Sequence, residues 1–124
     1  MAPVVLPIPY RDPVVAFAPL ADTPMAVLLD SALETAQGRA SYIAVDPRRV
    51  ISAGSSPWAD DPFAMLAAAL GAKQDPVDIP VPFAGGAIGL FAYELGGALE
   101  ALPPPKAPMF ADEMVVGVYD LIAA

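Results

Sequence analysis

Phe83-Ala-Gly-Gly-Ala-Ile-Gly-Leu-Phe-Ala-Tyr93 is the stretch on which the reading of this chain turns. The run is apolar and has the length of a strand, but Gly85, Gly86 and Gly89 interrupt it. Glycine packs no side chain and weakens a regular strand, so three of them predict a strand that bulges, bends or runs close against another backbone. A valine at Gly86 is expected to clash at such a bend and to unfold or aggregate the chain. A phosphate-binding loop does not fit, because no Lys followed by Ser or Thr stands at the required spacing and the dinucleotide fingerprint is absent.

Reading upstream, Lys73 to Pro82 is a polar, proline-bearing connection, and the clearest helix precedes it. Asp61 can cap that helix, Pro62 suits its first position, and Gly71 stands where a left-handed terminating residue belongs. Phe63, Leu66 and Leu70 fall at i, i+3 and i+7, the spacing of a core-facing stripe. Val50 to Ala53 reads as a strand, paired in a hairpin with Ser41 to Val45 across the Asp46-Pro47 turn. Met25 to Asp30 is a further apolar run of strand length, and Asp12-Pro13 predicts a short helix through about Ala18. The first ten residues hold Pro3, Pro7 and Pro9 and read as an extended lead-in. Downstream come a proline-rich loop, Leu102 to Pro108, and a last strand, Val115 to Ile122. The chain stops two residues later, as if cut from something longer. The expected fold class is α+β: a mostly antiparallel sheet of short strands with one or two helices, in one domain over residues 1–124.

Composition narrows the function. Hydrophobic residues make up 56% and charged residues 16% of the 124, enough to bury a core and to leave apolar surface for a partner to cover. The net charge of −8 argues against nucleic acid and anionic membrane surfaces as partners. The longest uncharged stretch, Ile79 to Tyr93, is too short to span a bilayer, and proline and glycine break it. Met1 to Tyr10 lacks the basic start and small-residue cleavage site of a signal peptide. Cysteine is absent, which fits a cytoplasmic location and removes disulfides, thiolate nucleophiles and sulfur metal sites.

Histidine is also absent, so neither a serine–histidine–acid triad nor a histidine metal site can be assembled. Carboxylates remain: Asp46, the pair Asp60 and Asp61, Glu94, Glu100, and the pair Asp112 and Glu113. Such pairs can hold a hard cation, but beside loops and helix starts they read as solvated or capping groups. The residues by themselves display no catalytic machinery.

Five blocks follow one another in order: Met25-Ala-Val-Leu-Leu-Asp-Ser31; Gly38-Arg-Ala-Ser-Tyr-Ile-Ala-Val-Asp-Pro47; Asp61-Pro-Phe63; Pro82-Phe-Ala-Gly-Gly-Ala-Ile-Gly-Leu-Phe-Ala-Tyr-Glu94 with Glu100 and Leu102-Pro103; and Val116-Gly-Val-Tyr-Asp120. Together they resemble component I of aminodeoxychorismate synthase and its relative, component I of anthranilate synthase. The Gly-Leu-Phe-x-Tyr-x-Leu-Gly run and the following Glu-x-Leu-Pro look more like the first. Asp30 and Ala40 depart from the Leu-Leu-Glu-Ser and Arg-Tyr-Ser segments usual in the second.

The resemblance implies a non-catalytic, truncated N-terminal domain, the chorismate-binding catalytic domain being absent. It implies a parent enzyme that aminates chorismate to 4-amino-4-deoxychorismate for p-aminobenzoate and folate synthesis. Ammonia would come from a glutaminase subunit, component II. Mg²⁺ would belong to the missing catalytic domain, with no cofactor in this fragment, and the remainder of component I would pack against it. The resemblance further implies an L-tryptophan site, carried over onto Leu29, Ser31, Ser41, Tyr42 and Ile43. There a serine hydroxyl accepts from the ligand ammonium and apolar neighbours enclose the indole. The plainer reading of Ser31 is a strand-end hydroxyl bonded to local backbone. The alternatives are the tryptophan-feedback domain of anthranilate synthase component I and a stand-alone acidic interaction module.

Overall fold

The computed structural model describes residues 2–103, 107 and 111–124, and its fold is α+β, with two antiparallel sheets and two short α-helices. The chain divides into two compact units. The first comprises the residues up to Arg48, Gln74–Gly86 and Tyr119–Ala124; the second comprises Arg49–Lys73 and Ala87–Val118.

In the first unit, α1 (Pro13–Phe17) starts where the sequence signals it. Asp12 Oδ1 accepts from the amides of Val14 at 3.0 Å and Val15 at 3.1 Å, which satisfies donors that a first helical turn leaves free. A 3-10 turn over Ala18–Leu20 follows, and the chain reverses through Met25, whose φ is 59°. The strand β1 (Val27–Leu29) then pairs antiparallel with β2 (Tyr42–Ala44), setting Leu28 opposite Ile43 and Leu29 opposite Tyr42. Helix α1 packs on this ribbon. On the far side of β2, Ile43 exchanges backbone bonds of 2.9 and 3.0 Å with Ala123. The core here is thin: Ala44 and Tyr119 are buried, and Tyr42 meets Phe83 edge-on at 5.7 Å between ring centroids. The Tyr119 hydroxyl donates to the Met25 carbonyl at 2.6 Å, and burial pushes its pKa above the ordinary tyrosine value.

The second unit is built on β5 (Met114–Tyr119), which lies between β3 (Arg49–Ala53) and β4 (Gly86–Phe91). Ile51 pairs with Val116 and Ala53 with Met114, so strand alternation aims these four, together with Val118, at one buried face. Helix α2 (Pro62–Leu70) covers that face, with Pro62 and Ala69 buried and Phe63, Met65 and Leu66 packed at its margin. Asp61 Oδ1 caps it through the amides of Phe63 at 2.9 Å and Ala64 at 3.4 Å, and Gly71 closes it at φ 73°.

Three expectations change. The hairpin joining Ser41–Val45 to Val50–Ala53 does not form: β2 pairs with β1, and β3 with β5. Pairing with β5 lets Ile51 and Ala53 share a face with the fully buried Met114 and Val116, a gain no short local hairpin offers. In α2 the buried end of the stripe is Ala69, while Leu70 remains 44% exposed. One residue is a rotation of about 100° on a helix, which carries Leu70 off the face that small Ala69 brings close to the sheet.

The glycine-rich strand behaves as a close approach, at positions other than the one singled out. A Cβ on Gly89 would fall on the Val115 carbonyl oxygen and lie 2.6 Å from Val116 Cα; one on Gly85 would lie 2.9 Å from the Tyr119 oxygen. At Gly86 the nearest atom is the Phe83 ring at 3.5 Å, an ordinary contact, so no clash arises there. What restricts Gly86 is its φ of 131°, a region L-residues rarely enter. Of the proline-rich loop, residues 104–106 and 108 lie outside the described residues.

Candidate functional site

The ends of β1 and β2 in the first unit open into a hollow of about 1080 Å³. Ser31 and Ser41 line it, with Ile43 at the side and the lead-in residues Tyr10, Arg11 and Asp12 across from them. The two serines are tied together. The Ser31 amide donates to Ser41 Oγ at 3.0 Å, and Ser41 Oγ donates to Asp30 Oδ1 at 2.8 Å. The Ser31 hydroxyl donates to the Ala40 carbonyl at 2.7 Å. These bonds continue the β1–β2 pairing beyond its last residues with side chains in place of backbone, holding the strand ends together.

The network determines what the hollow can offer. Each serine spends its only hydroxyl proton inside the protein, so toward a ligand Ser31 presents lone pairs and acts as an acceptor. Asp30 adds a carboxylate beside it, and Asp12 and Glu34 also line the hollow. Arg11 and Arg39 supply positive charge to the same rim. Acceptors and guanidinium groups around one half-polar hollow suit a small zwitterion, whose ammonium needs acceptors and whose carboxylate needs donors.

The five carried-over residues divide. Ser31, Ser41 and Ile43 are at the hollow; Leu29 and Tyr42 are not among its lining residues. Leu29 and Tyr42 face each other in register, one step out of phase with Leu28 and Ile43, and alternation sends them to the other side of the ribbon. Tyr42 packs on Phe83 there, its hydroxyl buried without a hydrogen-bond partner among the described residues. Leu29 is 45% exposed.

Residues that sequence reasoning did not select also shape the site. Gly38 allows the chain to turn beneath Ser31: its amide bonds Thr35 Oγ1 at 2.8 Å, and a Cβ there would lie 3.0 Å from the Leu33 carbonyl oxygen and 3.6 Å from Ser31 Oγ. A Gly-Arg pair directly before a strand was the available signal for both Gly38 and Arg39. The lead-in segment carried none, since nothing local links residues 8–13 to a strand end some twenty positions away.

The carboxylates noted from the sequence have mostly structural settings. Asp61 caps α2, Asp60 is exposed, and Asp46 occupies a left-handed turn at φ 51°. Among the described residues no group of three or more His, Cys, Asp or Glu is placed to hold a metal ion. Among the same residues no helix is long and apolar enough to cross a membrane.

No family model matches the chain. Individual relatives do. It is similar to aminodeoxychorismate synthase component 1 of Klebsiella aerogenes, at 33% identity over 137 aligned residues that cover 97% of this chain and 30% of the relative. The protein of the same name from Salmonella typhimurium matches at 31% identity, again over 97% of this chain and 30% of its own length. That from Escherichia coli matches at 40% identity over 49% of this chain and 14% of its own length. The resemblance read from the five sequence blocks is therefore shown, and the chain spans about a third of the length of the curated relatives it matches.

Proposed function

We propose that residues 1–124 form the non-catalytic N-terminal domain of an aminodeoxychorismate synthase component 1. The observation that carries this reading is similarity along 97% of the chain to two proteins of that name, over only 30% of their length. On this reading the amination of chorismate at its 4-hydroxyl, and the Mg²⁺ it needs, belong to the part of the relatives this chain does not span. The glutaminase subunit and the remainder of component 1 are the partners, and the setting is the cytoplasm.

The hollow at Ser31 and Ser41 is, on the same reading, where the domain holds L-tryptophan. Ser31 Oγ and the Asp30 carboxylate accept from the ammonium, while Ile43 contributes apolar wall to the indole. Leu29 and Tyr42 support the strands from the opposite side and touch no ligand.

Two measurements test these assignments separately. The complete protein encoded by the reading frame that contains this chain is given chorismate, Mg²⁺ and ammonium. Aminodeoxychorismate, converted by added lyase to p-aminobenzoate, is the expected product; fluorescent anthranilate in its place would overturn the assignment. Calorimetric titration with L-tryptophan then compares wild type with Ser31→Ala. Loss of one charge-assisted hydrogen bond weakens binding roughly tenfold, about 1.5 kcal/mol. Equal affinities would remove Ser31 from the site.

A further inference from the structure

Tyr10 is the one aromatic side chain among the described residues that line the hollow. The ends of β1 and β2 supply hydroxyl lone pairs and a carboxylate, which suit the charged head of an amino acid, and Ile43 is the largest apolar side chain they add. An aromatic ring is held best where a second ring lies against its edge or face, a contact that adds to the apolar area buried. Tyr10 is 89% exposed and Ile8 65%, so both offer that surface to the hollow and not to the core. The segment carrying them is fixed at its downstream end. The Asp12 carboxylate accepts from the amides of Val14 and Val15, and its carbonyl accepts from the Ala16 amide at 2.9 Å, which ties residue 12 to α1 and so to the β1–β2 ribbon. Upstream, Pro7 and Pro9 lock their own φ and hold Leu6 and Ile8 extended. A strap restrained on both sides of Tyr10 has little freedom left to lose when a ligand arrives.

We propose that the lead-in, residues 8–12, is the far wall of the hollow and that Tyr10 is its specificity-determining residue, its ring packing on the aromatic side chain of the bound amino acid. The inference rests on the reading of the hollow as an amino-acid site in which Ser31 and Asp30 accept from the ammonium. Those two groups meet only the head that every amino acid shares, so they do not distinguish one side chain from another. Tyr10 does, because ring-against-ring contact favours an aromatic ligand over an aliphatic one of similar size.

The test is calorimetric titration of the complete protein with L-tryptophan, comparing wild type with Tyr10→Phe and Tyr10→Leu. Phenylalanine keeps the ring and should leave affinity within about twofold of wild type, whereas leucine keeps apolar bulk without the ring and should weaken binding about tenfold. The ligand-free Tm is the readout that a merely structural role would move, and it should be the same in all three proteins, because so exposed a side chain bears little on folding. A leucine variant that binds as wild type does overturns the proposal. So does one whose ligand-free Tm falls along with its affinity, which would mark Tyr10 as a packing residue. Wild type that does not bind tryptophan defeats the reading of the hollow and this inference together. Binding that is lost in Ser31→Ala but kept in Tyr10→Leu defeats this inference alone.

Discussion

Gly89→Ala is the sharpest test of how the second unit is assembled. The added methyl carbon would fall on the Val115 carbonyl oxygen and lie 2.6 Å from Val116 Cα and 2.9 Å from Val116 Cγ2. Non-bonded carbons rest about 3.5–4.0 Å apart, so β4 has to retreat by roughly 1 Å. Two of the three obstacles are backbone atoms of the central strand and cannot rotate aside. Overpacking of this kind costs about 1–3 kcal/mol, and weakening a ladder bond or two adds about 1 kcal/mol each. The sum is roughly 2–5 kcal/mol, a large share of the ~5–15 kcal/mol that holds a domain folded. In urea, with a slope of about 1.5 kcal/mol per molar, the midpoint should drop by roughly 2 M. Gly97→Ala is the control: a Cβ there would meet only Trp58 Cη2 at 3.6 Å, so the midpoint should hardly move. Gly86→Ala should fall between the two, because its φ of 131° imposes strain of about 1–3 kcal/mol while its surroundings leave room. A Gly89→Ala protein as stable as Gly97→Ala would refute the close-approach argument.

Three further outcomes follow from individual side chains. Tyr119→Phe loses the 2.6 Å bond to the Met25 carbonyl and should cost about 1–2 kcal/mol at neutral pH by denaturant titration. Because burial raises the Tyr119 pKa, the folded chain keeps a proton that the unfolded chain releases near pH 10. Its contribution is therefore complete below that pH and is lost as pH climbs through the folded value, and the phenylalanine variant should lack this component of the alkaline decline. Asp61→Ala strips the cap from α2 and should cost about 1 kcal/mol, read as a lower midpoint with the unfolding slope unchanged; Asp61→Asn should recover most of it. Ser41→Ala cuts the link between Asp30 and the Ser31 amide and should lower tryptophan affinity by calorimetry without any direct contact to the ligand; unchanged affinity would show that the link positions nothing.

Local signals in the sequence located the elements but not their partners. Asp12-Pro13 and Asp61-Pro62 start helices because an acceptor and a preset φ act within three residues, and both are found as read. The same locality misled at Asp46-Pro47, where a turn of hairpin length suggested that its flanking strands pair. Pairing is decided by which faces can be buried together, and the fully buried Met114, Val116 and Val118 lie more than sixty positions from β3. Alternation can mark an inward face without naming the strand opposite. The three glycines likewise announced contact with another backbone; only the identity of the neighbour showed that Gly85 and Gly89 make it, and that Gly86 is present for its φ.

At the candidate site, strand geometry decides which of the carried-over residues line the hollow. Ser31 and Ser41 are at the hollow because side chains at strand ends replace the ladder bonds that the backbone no longer makes, and serine next to an aspartate suits that task. Leu29 and Tyr42 came with the same carry-over, yet Tyr42 stands between Ser41 and Ile43 on one strand, where alternation turns it to the other side, against Phe83, and Leu29 is not among the residues lining the hollow. Asp30 is the opposite case. It differs from the glutamate of the anthranilate pattern, which read as a mark of ancestry, but in the fold it is the acceptor that orients Ser41 and, through it, the Ser31 amide. A glutamate there would carry its carboxylate one methylene further, beyond the 2.8 Å bond that Asp30 makes to Ser41. Asp30→Glu should then free the Ser41 hydroxyl while keeping the charge at the hollow. If charge alone holds the ligand ammonium, tryptophan affinity survives that change. If the serine relay sets the geometry, affinity falls as far as it does in Ser41→Ala, and the relay, not the carboxylate, is what the short side chain preserves.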